Sequence, residues 1–282
     1  MKLLRFGAAG HEKPGYLDDQ GRLRDLSAMA ADFAGETVSC KALEALRALA
    51  LDDAPVVEEP QRIGAPLAWV PDFYCIGLNY ALHAAETGAT PPTEPLVFSK
   101  ATTSLAGPED DIIIPRGSQK TDWEVELGVV IGKRTLHVSE AEALSHVAGY
   151  VAINDLSERD FQKERGGQWI KGKSAPGFGK IGPWLVTTDD VPDPQALQLS
   201  LRVNDVSRQA STTGDMIFSV AQIIAYMSQF MELRAGDVIA TGTPSGVGAG
   251  MTPPQFLQPG DRVALAVEGL GQQFSIVRAA AS

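Results

Sequence analysis

The stretch that most constrains this chain is Asp122-Trp123-Glu124-Val125-Glu126-Leu127-Gly128-Val129-Val130-Ile131. Trp123, Val125, Leu127, Val129 and Ile131 alternate at the period of a β-strand, which leaves Asp122, Glu124 and Glu126 on the other face. So long an apolar run implies burial on at least one side, and carboxylates opposite it are costly unless something pairs with them. A divalent cation is the simplest partner, because residues i and i+2 of a strand point the same way and Glu124 and Glu126 can offer oxygens to one ion. Two carboxylates underfill an octahedral site. Asp155 is the third candidate, at the end of a second apolar run, Val147–Asn154. Oxygen-only ligation with room for water and substrate suits Mg²⁺ (or Mn²⁺) better than Zn²⁺. Taken alone, an i, i+2 acid pair is also what a solvated edge strand carries.

The chain has 282 residues, enough for one large or two modest domains. A net charge of −11 with no Lys/Arg cluster argues against nucleic-acid or anionic-membrane binding. It leaves an anionic substrate open, since a bound metal resets the local charge. Cys40 and Cys75 are the only cysteines, too few for a disulfide framework or a thiolate zinc site. The start, Met1-Lys2-Leu3-Leu4-Arg5, continues into no apolar stretch of signal-peptide type, and no run approaches a transmembrane length. A cytoplasmic enzyme or binding protein is the expectation.

Lys2–Phe6 and Arg22–Leu26 read as strands, and Ser39 as the cap of a helix over Lys41–Leu51 with Leu43, Leu46 and Leu49 at helical spacing. The acidic, proline-punctuated stretch Asp52–Pro66 reads as a linker, which gives a small N-terminal α+β domain over 1–65 and a larger domain over 66–282. A strand at Phe73–Leu78 leads through Asn79-Tyr80 into a helical segment with His83 and Glu86 on one face at i, i+3. A carboxylate beside an imidazole orients it and makes a base for water, although a surface ion pair has the same spacing. Lys100 ends the strand Pro95–Lys100, where it could meet an anionic substrate, although a solvated lysine at a strand end is the expectation. Ser157–Arg165 reads as a charged helix. Gly167–Ser174 satisfies G-x-x-x-x-G-K-[ST], but a P-loop follows a buried strand and opens a helix, and here a charged segment precedes it and Ala175-Pro176-Gly177 follows. Phe218–Met231 reads as an apolar helix, and Thr241-Gly242-Thr243-Pro244-Ser245-Gly246-Val247-Gly248 as a glycine-rich loop able to hold a carboxylate.

Five segments in order, Gly77-Leu78-Asn79-Tyr80-x-x-His83-x-x-Glu86, Glu124-x-Glu126-Leu127-Gly128, Asn154-Asp155, Lys173 and Thr241-Gly242-Thr243-Pro244-x-Gly246-Val247-Gly248, resemble the fumarylacetoacetate hydrolase family. The likeness spans roughly Phe73–Gly248 and rests on the set rather than on any one motif. It implies a β-rich α+β fold, a mixed β-sandwich roll with a small extra N-terminal domain, and a homodimer or higher homo-oligomer. It implies Mg²⁺ or Mn²⁺ on Glu124, Glu126 and Asp155, a water-activating dyad of His83 and Glu86, and Lys173 beside metal and substrate. Tyr80, Gly242 and Thr243 are the substrate contacts it implies.

That resemblance implies hydrolysis of the C3–C4 bond of a 2,4-diketo acid. Length and spacing are most similar to bacterial hydrolases of 2,4-diketo-3-deoxy sugar acids such as the L-rhamnonate derivative, which yield pyruvate plus lactate. Other activities occur on the same core: fumarylpyruvate hydrolysis, oxaloacetate decarboxylation, isomerisation or hydration, and the activity labelled ureidoglycolate lyase. A non-catalytic metal-binding protein is the alternative of a different class, against which the His83–Glu86 pair counts. Ser174-Ala175-Pro176-Gly177-Phe178 and Thr212-Thr213-Gly214-Asp215-Met216 depart from the family's common Asp-Thr and Asn-Thr pairs, which leaves the acyl group open.

Overall fold

In the computed structural model, which describes residues 1–59 and 61–280, the acidic stretch divides in two. Thr121–Asp122 pairs with Ser157–Glu158, and Val125–Ile131 forms a separate strand buried at every position. That strand lies between Val147–Asp155 and Val238–Ala240, antiparallel to both. Phe73–Gly77 and the edge strand Leu96–Lys100 continue the sheet beyond Val238–Ala240. On the other side come Leu185–Thr187, Lys2–Phe6, Lys13–Leu17 and Leu23–Asp25, and with Gly179–Ile181 and Leu105–Ala106 the sheet has eleven strands. A second sheet orders Val206–Thr212, Gln198–Val203, Arg262–Val267, Gly271–Ala279 and Ile112–Ile114.

The two faces of Val125–Ile131 go to two cores. Val125, Leu127, Val129 and Ile131 pack with Leu199, Leu201, Val263 and Leu265 of the second sheet. Val130, with Val151 and Ile153 of the neighbouring strand, packs with Leu3, Phe33 and Leu43 from the N-terminal segment. Burying such a side chain contributes about 1.5–3 kcal/mol, so covering both faces is what makes the sandwich. Gly128 sits on the second face because a Cβ there would lie 2.4 Å from Ile153 Cδ1 and 2.6 Å from Val151 Cγ2. The expected β-rich sandwich with few helices is the fold observed.

Three local expectations are corrected. Lys13–Leu17 is an additional strand between Lys2–Phe6 and Leu23–Asp25. Its Pro14-Gly15 pair obscures the alternation, and Gly15 is needed because a Cβ there would meet the Phe6 ring at 2.9 Å. The helix capped by Ser39 runs only over Cys40–Arg47, with Leu43 and Leu46 buried and Leu49 exposed beyond its end. Ser157–Arg165 is no continuous helix: its first two residues are strand and Asp160–Glu164 forms one wide π-type turn. The stretch around residue 65 is tied to both parts of the chain, Gly64 N donating to Arg5 O and Arg62 reaching both Glu12 and Asp110. Among the described residues no helix is long and apolar enough to cross a membrane.

Candidate active site

Strand register assembles the carboxylates. Glu126 lies opposite Ile153 and Val125 opposite Asn154, which carries Glu124 opposite Asp155, whose amide donates to Glu124 O at 2.9 Å. Cross-strand partners on one face have Cβ atoms about 4.5–5.5 Å apart. Ligand oxygens of Glu124, Glu126 and Asp155 all fall within 4.8 Å of one another, and all three residues are buried.

Buried cations answer these charges. Lys173, at the end of the short helix Ile170–Lys173, donates Nζ to Glu124 Oε2 and to Asp155 Oδ2, both at 2.6 Å. Lys100 donates to Asp155 Oδ1 and, at 3.2 Å, to Leu156 O. Arg159 reaches Glu124 Oε1 at 2.7 Å through Nη2 and Asp122 Oδ2 at 2.8 Å through Nε. Burial alone would raise the Glu124 carboxyl, but the Lys173 ammonium and Arg159 guanidinium hold it well below the usual carboxylate range. Lys173 is likewise held above the usual lysine value, against its burial, by Asp155 and Glu124.

Glu126 is the exception. Its Oε2 accepts the Gly242 amide at 2.7 Å, and among the described residues it has no ion-pair partner. Burial, followed by Asp155 and Glu124, pushes its carboxyl well above the usual range. Asp122, Glu124, Glu126 and Asp155 thus face Lys100, Lys173 and Arg159, four acids against three bases. The donor set is all oxygen and short of positive charge at Glu126, which is the environment a hard divalent cation fits.

His83 sits on the helix Ala81–Glu86, its Nδ1 2.8 Å from Glu86 Oε1. The other Glu86 oxygen accepts Gly246 N at 2.8 Å, so the glycine-rich loop fixes the acid that fixes the imidazole. The helix is reached through Leu78, whose φ of +56° turns the chain sharply after Gly77. Asn79 braces that turn by donating to Phe218 O and Thr241 O.

His83, Glu124, Glu126, Lys173 and Thr243 line one cavity of ≈ 120 Å³, whose remaining walls include Ile76, Leu78, Phe98, Arg159 and Trp169. The loop's donors are directed into the protein: Thr241 Oγ1 to Leu127 O, Thr243 Oγ1 to Val125 O, and Gly242 N to Glu126. Gln209, from the second sheet, holds Thr243 Oγ1 at 2.7 Å and accepts Val125 N at 3.0 Å. Tyr80 is buried close enough to Glu126 to feel its charge, and its hydroxyl has no hydrogen-bond partner among the described residues. The structure therefore brings together His83, Glu86, Glu124, Glu126, Asp155, Lys173 and Thr243, with Gly242 bonded to Glu126 and Tyr80 within reach of its charge.

Two site residues stand differently from their reading in the sequence. Lys100 is buried rather than solvated, because its ammonium reaches Asp155 and the Leu156 carbonyl. Arg159 belongs to the stretch that reads as a charged helix, and nothing in the sequence singles it out. The signal for both was the excess of buried acid, which demands buried bases.

A family model described as fumarylacetoacetate (FAA) hydrolase C-terminal matches residues 72–278. A Burkholderia multivorans protein whose name says no more than hydrolase is 57% identical over 281 residues, covering 99% of this chain and 100% of its own. Among solved structures, the fumarylacetoacetate hydrolase of psychrophilic Exiguobacterium antarcticum superposes with a TM-score of 0.87 at 36% identity, covering 99% of this chain and 100% of that one. Maleylpyruvate hydrolase from Sphingobium sp. SYK-6, solved with manganese(II) and pyruvate, superposes with a TM-score of 0.81 at 26% identity over 100% of both chains.

Proposed function

The chain belongs to the fumarylacetoacetate hydrolase family, and we propose that it hydrolyses the C3–C4 bond of a 2,4-diketo acid in a reaction that depends on Mg²⁺ or Mn²⁺. One observation carries this reading: a base supported by a carboxylate, His83 with Glu86, opens onto the same cavity as the charge-deficient Glu124–Glu126–Asp155 cluster. The manganese and pyruvate held by the Sphingobium maleylpyruvate hydrolase support the same metal and the same product half.

Glu124, Glu126 and Asp155 would hold the cation, which when bound polarises the 2-oxo acid and offsets negative charge developing on it. Glu86 keeps the hydrogen of His83 on Nδ1, so Nε2 is left to take a proton from water. The oxygen of that water attacks the C4 carbonyl carbon, and the C3–C4 bond then breaks. Its electron pair leaves as the enolate of pyruvate, which gains a proton at C3, while C4 departs as a carboxylic acid. Lys173, held at full charge by two carboxylates, faces the developing enolate oxygen. Thr243, which lines the cavity, contacts the substrate there, while Gly242 acts through Glu126, to which its amide donates. We propose L-2,4-diketo-3-deoxyrhamnonate as the substrate, giving pyruvate and lactate, and a homodimer as the working form.

Replacing His83 with Ala tests the dyad. Turnover is expected to fall about 10²–10⁴-fold with Mn²⁺ affinity by calorimetry unchanged. Undiminished turnover would remove His83 and Glu86 from the reaction.

A further inference from the structure

The cavity has a direction. At its inner end the Lys173 ammonium, bonded to Glu124 and Asp155, lies 5.2 Å from the centre of the Phe98 ring. Phe98 in turn meets Trp169 edge to face, with ring centres 5.1 Å apart and planes at 67°. Ammonium, first ring and second ring are thus in contact in succession, and all three line the same space. Trp169 cannot slide inward past the end of the strand, because its ring rests directly on Gly77. A Cβ at that position would lie 2.7 Å from Trp169 Cζ3. Gly77 is therefore the seat of the indole, and Leu96 closes in beside it, 3.1 Å from the same point.

We infer that Trp169 is the specificity-determining residue that ends the acyl pocket and restricts the enzyme to 2,4-diketo acids with short acyl groups. This rests on the hydrolase reading, which anchors the 2-oxo acid half at the carboxylates and Lys173. The acyl carbons beyond C4 then run outward over Phe98 and stop at the indole. The room is bounded: the cavity is ≈ 120 Å³, with Phe98 and Trp169 among its walls. An acyl tail of two or three carbons, such as lactoyl, fits the space between floor and indole, and a longer one meets a wall of packed aromatic edges. Phe98 and Trp169 are placed by different elements, an edge strand and the approach to the Lys173 helix, and meet edge to face.

The test compares wild type, Trp169→Phe and Trp169→Ala on acetylpyruvate and heptanoylpyruvate, all with Mn²⁺. The ratio of kcat/KM for the long over the short substrate is expected to rise at least tenfold in Trp169→Ala, the scale at which hydrophobic pockets discriminate chain length. Trp169→Phe should fall in between. An unchanged ratio in enzyme that still releases pyruvate would overturn the inference and leave the hydrolase reading intact. Calorimetric binding of 2-oxobutyrate and 2-oxooctanoate separates the two ideas from the other side. If no variant releases pyruvate but Trp169→Ala gains at least tenfold in affinity for 2-oxooctanoate relative to 2-oxobutyrate, the pocket stop stands and hydrolysis fails. If that affinity ratio does not move, the stop fails as well.

Discussion

Individual charges in this molecule are placed where their neighbours decide their state. Lys180 is the clearest case outside the site: fully buried, it donates to the carbonyls of Gly107 and Asp110 rather than to a carboxylate. Burial pushes its ammonium down to about 8, with Asp110 and Asp111 only partly opposing. Between that value and the ordinary 10.5 the folded protein holds fewer protons than the unfolded chain, so stability rises with pH across the window. Wild type is therefore expected to gain stability relative to Lys180→Met as pH climbs from about 8 to 10.5, followed by urea unfolding. A difference that stays flat across those pH values would mean the buried ammonium costs the fold nothing. Lys173 differs because carboxylates meet it directly, which keeps it charged and available to an anionic product.

Elements place these residues through a few close approaches. The glycine-rich loop presses on the strand Val206–Thr212: Gly246 has a φ of +104°, and a Cβ there would lie 1.9 Å from Arg208 O. The same residue donates its amide to Glu86. Gly246→Ala should lower stability by about 1–3 kcal/mol through strain and overpacking and lower kcat as Glu86 loses its anchor. Full stability by thermal unfolding would show that the contact relaxes at no cost. Much of this level was legible beforehand. The i, i+2 acids, Asp155 at the end of the next apolar run and the His83–Glu86 spacing are local patterns that the fold keeps close together, although the single strand expected over the acids breaks before Val125. What escaped was non-local. Lys100 and Arg159 look like surface residues until the fold sets them against Asp155 and Glu124, and Pro14-Gly15 hides a strand whose glycine is explained by the Phe6 ring and Leu23 packed on it. The long helix expected over Ser157–Arg165 failed because Arg159 is drawn inward to two acids.

At the scale of the whole molecule, two sheets and two cores converge on one strand, and its acidic end is where their demands conflict. A fold that buries four carboxylates against three bases carries an electrostatic debt that a bound cation relieves. Millimolar Mn²⁺ should therefore raise the unfolding temperature, by about 2.7 kcal/mol of added stability at a hundredfold excess over Kd, and a chelator should reverse it. Glu126→Gln, which removes the unpaired acid, should shrink that shift. An unfolding temperature indifferent to metal in both proteins would contradict the fit of the donor set to a cation.

Pyruvate release bears most directly on the proposed reaction. Synthetic L-2,4-diketo-3-deoxyrhamnonate and simple acylpyruvates would be incubated with the protein in the presence of Mg²⁺ or Mn²⁺, and again with chelator. Release of pyruvate with one equivalent of carboxylic acid, abolished by chelator and restored by metal, is the expected result, and preference for the rhamnonate derivative would identify the acyl group as lactoyl. No pyruvate from any of these substrates, from protein shown to have metal bound, would contradict C3–C4 hydrolysis and turn attention to decarboxylation, isomerisation or a site without turnover.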